Sequence, residues 1–215
     1  MHENQLVKAA VIQFQHQAGD KKYNLMMMEK FIGQAAIDGV KILAFPEMCI
    51  TGYWHVPKLS VAGVEALAEP VETGPSVGLI RALAMKHQML IGAGLIERAP
   101  DGRLYNAYVA CMPDGSLHTH RKLHAFEHPA ISSGEGFTVF DTPWGVKVGI
   151  LICWDNNLVE NVRATALLGA DILLAPHQTG GTHSRSPHGM KPIPLELWAQ
   201  RAERKAEITA AFKGP

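Results

Sequence analysis

The stretch GVKVGILICWDNNLVE (145–160) changes character at one residue. An apolar run of strand type reaches Cys153, and Trp154, Asp155, Asn156 and Asn157 follow before a helical periodicity begins near Leu158. A cysteine that ends an apolar run is ordinarily a packed core residue. The competing reading is a nucleophile held at a strand tip. That role needs a base or a positive environment, because a free thiol has a pKa of about 8.5 and is mostly protonated at neutral pH. Asp155 to Asn157 are good capping residues, so Cys153 is expected just ahead of a helix N-terminus whose partial positive charge favours the thiolate. Cys49 in EMCITGYW and Cys111 in YVACM lack this setting and read as packing residues.

Working outward, short apolar runs alternate with amphipathic ones. VKAAVIQF (7–14) reads as a buried strand. YNLMMMEKFIGQAAIDG follows as a helix with Leu25, Met28, Ile32 and Ala35 on one face and Asn24 as a candidate cap. VKILAFPE is a second strand, stopped at Pro46, and GPSVGLIRALAMKHQ a second helix with Val77, Ile80, Leu83 and Ala84 on one side. MLIGAGLIER, LYNAYVACM and GSLHTHRKL are joined by Asp-Gly turns, which predicts adjacent antiparallel strands. FTVFDTPWGVKVGILIC is a further hairpin, followed by a helix over 158–168 and the strand DILLAP. GVKILAFPE and GADILLAPH share one form, which suggests equivalent strands in two halves of a sandwich, with Glu47 and His177 at matching ends. Residues 179–193, rich in Gly, Pro, Ser and His, read as a loop, and 195–212 as a poorly amphipathic helix.

The bulk numbers narrow the function. The chain has 215 residues, enough for one large domain over 1–215. Twenty basic and 20 acidic side chains give a formal net charge of zero, so nothing steers it to nucleic acid or to anionic lipid. No apolar run is long enough for a membrane span, and the opening MHENQLVKAAVIQFQ lacks a secretory pattern. Three sparse cysteines fit a reducing cytoplasm rather than a disulfide framework.

Two more residues suit a thiol mechanism. Glu47 follows the strand that ends at Pro46; a partly desolvated carboxylate there is raised toward the range useful to a general base. Lys122 ends the strand 116–120, where a cation lowers a thiol pKa and stabilises an oxyanion. Each alone reads as a surface charge. The set is more specific: FPEMCITGY, HRKLHAF and GILICWDNNLVE occur in that order, each at a strand end.

With these motifs the chain resembles the nitrilase superfamily, the carbon–nitrogen hydrolases, over about 7–176. The resemblance includes Gln13, the TGP of 73–75 and the YNA of 105–107. It implies an α/β fold, a four-layer α-β-β-α sandwich, usually dimeric through the face near the nucleophile helix. It also implies a Glu-Lys-Cys triad. Cys153 is the expected nucleophile, Glu47 the general base, and Lys122 the cation at the tetrahedral intermediate beside the N–H of Trp154. The reaction implied is hydrolysis of a small amide through a thioester, with a nitrilase or N-carbamoyl amidohydrolase as the alternative. No cofactor and no metal are called for. Many members add a second glutamate seven residues before a turn glycine; Glu127 stands seven before Gly134 and is preferred, with Glu135 as the other candidate.

Three departures stand out. Asn157 occupies a position where family amidases often carry arginine. HQTGG after LLAP departs from the usual small-residue-then-Trp pattern, so Tyr53, Trp54, His55 and His177 are candidates to line a different acyl pocket, or else to pack a dimer or loop. The chain stops at Pro215, short of the family's usual C-terminal helix and strands, so an incomplete sandwich is expected. Two other classes compete. A metallohydrolase would use some of the 11 histidines, among them His118, His120, His124, His128, His177, His183 and His188, although no matching carboxylate pattern accompanies them. A catalytically silent scaffold on the same fold is the other.

Overall fold

The apolar runs fold into two sheets. In the first, β1 (Ala9–Val11), β2 (Ile42–Ala44), β3 (Leu90–Arg98), β4 (Leu104–Cys111) and β5 (Leu117–Arg121) lie side by side in that order, with β6 (Ile131–Ser132) against β4. β1, β2 and β3 are parallel, whereas β3, β4 and β5 form the antiparallel meander that the Asp-Gly turns predict. The second sheet joins β7 (Thr138–Asp141) antiparallel to β8 (Lys147–Ile150) and β8 parallel to β9 (Ile172–Leu174). The computed structural model describes residues 6–178 and 193–211. It divides into two units, Met1–Gln178 and Thr179–Pro215.

Helices α1 (Lys21–Ile37) and α3 (Pro75–His87) cover one face of the first sheet, α2 (Val61–Leu67) lying between them in sequence. Met28, Ile32, Ile80 and Leu83 pack there against Leu43, Ile91 and Val109. Fully burying such a side chain contributes about 1.5–3 kcal/mol. The other face meets the second sheet through Ile42, Leu90, Tyr108, Phe140, Val148 and Ile150. Helix α4 (Val159–Leu167) packs outside β8. The layers are therefore α-β-β-α, the sandwich expected.

Several details differ from the sequence reading. β1 covers three residues and is an edge strand; Val11 is 84% exposed, while Ala10, Ile12 and Phe14 pack on the core from one side. Asp20, not Asn24, caps α1, accepting the N–H of Tyr23 at 2.9 Å. Asn24 is buried instead, and its amide donates to the carbonyls of Gln17 and Ile50, both at 2.9 Å. It thereby ties α1 to the turn after β2.

In the second unit, the helix expected over 195–212 is two short ones, α5 (Leu195–Ala199) and α6 (Lys205–Ala211). The intervening QRAER offers no apolar stripe, and helices this short depend on one. The expected loop lies outside the described residues from Thr179 to Pro192, as do His183 and His188. No helix among the described residues is long and apolar enough to cross a membrane.

Candidate active site

β2 runs into Pro46 and delivers Glu47 to the sheet end with no solvent exposure. Lys122 is the first residue after β5 and is equally buried. The Lys122 ammonium donates to Glu47 Oε1 at 2.9 Å and also to Glu127 Oε1. Glu127 is 3% exposed, whereas the Glu135 side chain is 87% exposed and sits 3.8 Å from Arg103. The geometry thus brings Glu127, not Glu135, to Glu47 and Lys122. Gly134 has a separate use: its N–H donates to Lys122 O at 2.7 Å, and a Cβ there would collide with Arg121 O.

Cys153 follows the apolar segment after β8 and opens a 3-10 turn, Cys153–Asn157. Its φ is +51°, a left-handed value that a non-glycine residue adopts only under constraint. Its N–H donates to Pro176 O at 2.9 Å, which helps fix that turn to the end of β9. Met48, next to Glu47, also has a positive φ, +47°. Backbone strain is therefore found at both the carboxylate and the thiol.

Contrary to expectation, Cys153 does not stand at the N-terminus of α4. A whole turn separates Cys153 from α4, whose N-cap is Leu158 with no side-chain cap. Asp155 is buried in that turn and accepts the N–H groups of Leu123 and His124, both at 2.9 Å. It fastens the Cys153 turn to the two residues that follow Lys122. Burial, and then the charge of Glu47, push the Cys153 thiol up to about 12, so it rests protonated. A thiolate there would need a neighbouring base to take its proton.

Glu47 has the right proton affinity for one. Burial raises its carboxyl from 4.5 to about 7, with Lys122 pulling down and Glu127 pushing up. For Lys122, burial works against the charged form, but the carboxylates of Glu47 and Glu127 outweigh it and hold the ammonium above its ordinary range.

The other candidates divide. Tyr53 is buried, and its phenol is raised by burial and by the charges of Glu47, Glu127 and Cys153. Trp54 meets Tyr53 edge-on with ring centroids 4.8 Å apart. His55 has both ring nitrogens buried without a hydrogen-bond partner, and its pKa is lowered by burial. Trp154 is 50% exposed, and Asn157 is exposed at the end of the turn. His177 Nδ1 turns back to Ala175 O at 2.7 Å. The next residue, Gln178, is the one that reaches Glu47: its N–H donates to Oε2 and its amide to the main-chain carbonyl, both at 3.1 Å.

Sequence reasoning missed Gln178, Asn106 and Phe126. Asn106 donates to Glu47 Oε1 at 2.8 Å and to Glu127 Oε1 at 3.0 Å. The Phe126 ring lies 4.3 Å from Lys122 Nζ and is 62% exposed, so it screens the ammonium from solvent. An asparagine within an otherwise apolar buried strand was the one available signal.

The described histidines do not assemble as a metal reading needs. His118 stacks on Phe140 with centroids 4.0 Å apart. His120 is buried 3.2 Å from Thr138 Oγ1 and 3.8 Å from Asp155 Oδ2. Among the described residues no group of three or more His, Cys, Asp or Glu is placed to hold a metal.

The family model for carbon–nitrogen hydrolases matches residues 8–209. A citrullinase of Francisella tularensis is 36% identical over 183 residues, which cover 81% of this chain and 62% of the relative. A nitrilase of Pyrococcus abyssi is 32% identical over 205 residues, 94% of this chain and 76% of the relative. Among solved structures, Saccharomyces cerevisiae Nit3, a nitrilase-superfamily member, superposes with a TM-score of 0.71 at 29% identity. That match covers 81% of this chain and 65% of Nit3. The chain thus spans somewhat under two thirds of the length of the citrullinase and of Nit3.

Proposed function

This chain belongs to the carbon–nitrogen hydrolase family, and from that premise we propose that it hydrolyses the carbon–nitrogen bond of a small amide through a thioester on Cys153. The observation that carries the reading is the buried cluster itself. A protonated thiol, a carboxylate whose pKa is about 7 and a held ammonium converge from three strand ends.

The steps follow from those groups. Glu47 takes the Cys153 proton as sulfur attacks the carbonyl carbon. Lys122 and the N–H of Trp154 stabilise the oxyanion. Glu47 then gives its proton to the departing nitrogen, the C–N bond breaks, and ammonia or an amine leaves. Water attacks the thioester while Glu47 takes its proton, and the carboxylic acid departs as the thiol is restored. Glu127 holds Lys122 in place. Tyr53 and Trp54 wall the acyl side.

A carbamoyl substrate is the second reading, favoured by the similarity to a citrullinase. A nitrile enters the same thioester and is the third. We further infer a cytoplasmic enzyme, supported by three free cysteines, and a homodimer through the α4 face, where Val159 and Leu167 are 71% and 77% exposed. Ammonia release from a panel of small amides, carbamoyl compounds and nitriles tests the function. Turnover of at least one amide supports it, and turnover of nitriles alone replaces it.

A further inference from the structure

Glu47 Oε1 and Glu127 Oε1 are bridged twice, once by Lys122 Nζ and once by Asn106 Nδ2. The four groups form a closed square in which donors and acceptors alternate. A primary amide has two N–H hydrogens, and both of Asn106 are used here, at 2.8 and 3.0 Å. The reversed amide would set its oxygen against two carboxylate oxygens, so the orientation is fixed.

Asn106 has no solvent exposure, and its Oδ1 is buried without a partner. Its neighbours along β4, Leu104, Tyr105, Ala107 and Tyr108, are all buried. An apolar side chain would suit that strand better by packing, because it would leave no orphan acceptor. The amide is therefore explained by what its nitrogen holds. The main-chain carbonyl of the same residue accepts the N–H of Lys122 at 2.8 Å, so one residue touches all three charged partners.

We propose that Asn106 is a positioning residue of this site: it clamps the first oxygen of Glu47 beside Glu127 and Lys122, so that the second oxygen is presented to the thiol. This rests on the reading of Glu47 as the base for Cys153. The groups that face Glu47 are Lys122 after β5, Glu127 in the following loop, Asn106 on β4, Tyr53 after β2, Cys153 in its turn and Gln178 after β9. His16 stands behind Gln178, 3.3 Å from its amide. Of these, Asn106 is the uncharged side-chain donor to the carboxylate, and losing it makes the ionised form harder to hold.

Alkylation of Cys153 by iodoacetamide tests this without a natural substrate. The S–C bond forms, iodide leaves, and the thiol proton passes through Glu47 to water. Intact mass of the full chain follows the rate against pH, and Cys153→Ala supplies the blank, since Cys49 and Cys111 are fully buried. The wild-type rate rises through an acid limb. In Asn106→Leu the limb moves upward by about one pH unit, the size expected from losing a hydrogen bond to a charged group. Asn106→Ser, which keeps one donor, shows a smaller shift in the same direction and carries the test if the leucine variant does not fold. Limbs that coincide in the folded variants and wild type, with rates lowered evenly across pH, would overturn the proposal. Ammonia release decides the hydrolase reading separately, so the two can fail independently.

Discussion

Lys122 Nζ lies 2.9 Å from Glu47 Oε1, and neither side chain has any exposure to solvent. A buried ion pair is a weak source of stability, because desolvation offsets much of the attraction. In the proposed mechanism its value is in placing a fixed cation beside a base and a thiol. Removing one partner is another matter, since Glu127 is held by the same ammonium. Lys122→Met is expected to lose about 3–5 kcal/mol of stability and hydrolase activity by a factor of about 100 or more. Denaturant melts and ammonia assays on the same preparation read both.

The pH dependence follows from Glu47. In the proposed mechanism attack needs its ionised form, so kcat/KM should rise with pH through a limb near 7, the value to which burial raises this carboxyl. Stability should run the other way. The folded state binds the Glu47 proton more tightly than the unfolded state, in which its pKa is near 4.5. Its contribution to stability is therefore present below that value and declines as pH rises to about 7. Glu47→Gln removes the ionisation, so over that window wild type loses stability relative to the variant. Thermal melts at a series of pH values make the comparison.

Asp155 couples the Cys153 turn to the loop after Lys122 through the N–H groups of Leu123 and His124. Asp155→Ala removes the acceptor of both N–H groups and should cost about 1–3 kcal/mol. Asp155→Asn keeps one acceptor and should fall between. Both variants should slow alkylation of Cys153, because its turn loses its anchor; unchanged reactivity in a folded Asp155→Ala would contradict the coupling.

Gly94 in β3 lies under the turn that carries Glu47. A Cβ there would strike the main-chain nitrogen of Met48 and crowd the carbonyl carbon of Glu47. Gly94→Ala must push that turn away from Lys122. Activity should fall by about tenfold or more, since small displacements of catalytic groups are expensive. A crystal structure of the variant should show a longer Glu47–Lys122 distance.

What the sequence disclosed follows from local rules. The hairpins from β3 to β5 could be read because Asp-Gly turns separate apolar runs, and α1 and α3 because their apolar residues recur at helical spacing. Glu47, Lys122 and Cys153 stood out because each follows a strand. Asn106 and Gln178 were hidden because their meaning lies in partners far along the chain, 59 and 131 residues from Glu47. Asp155 was misread for a related reason. It has the composition of a helix cap, but two N–H groups from another loop compete for its oxygens and win. The strand at 7–14 looked buried from hydrophobicity alone, yet an edge strand such as β1 packs only one face.

The thioester is the claim on which the rest depends. Its formation and its hydrolysis both use Glu47, so the direct measurement is intact mass of wild type acid-quenched during turnover of an amide it accepts. The account predicts a mass gain equal to the acyl group, located on the Cys153 peptide and absent in Cys153→Ala. Undiminished turnover by Cys153→Ala in the wild-type background would contradict it.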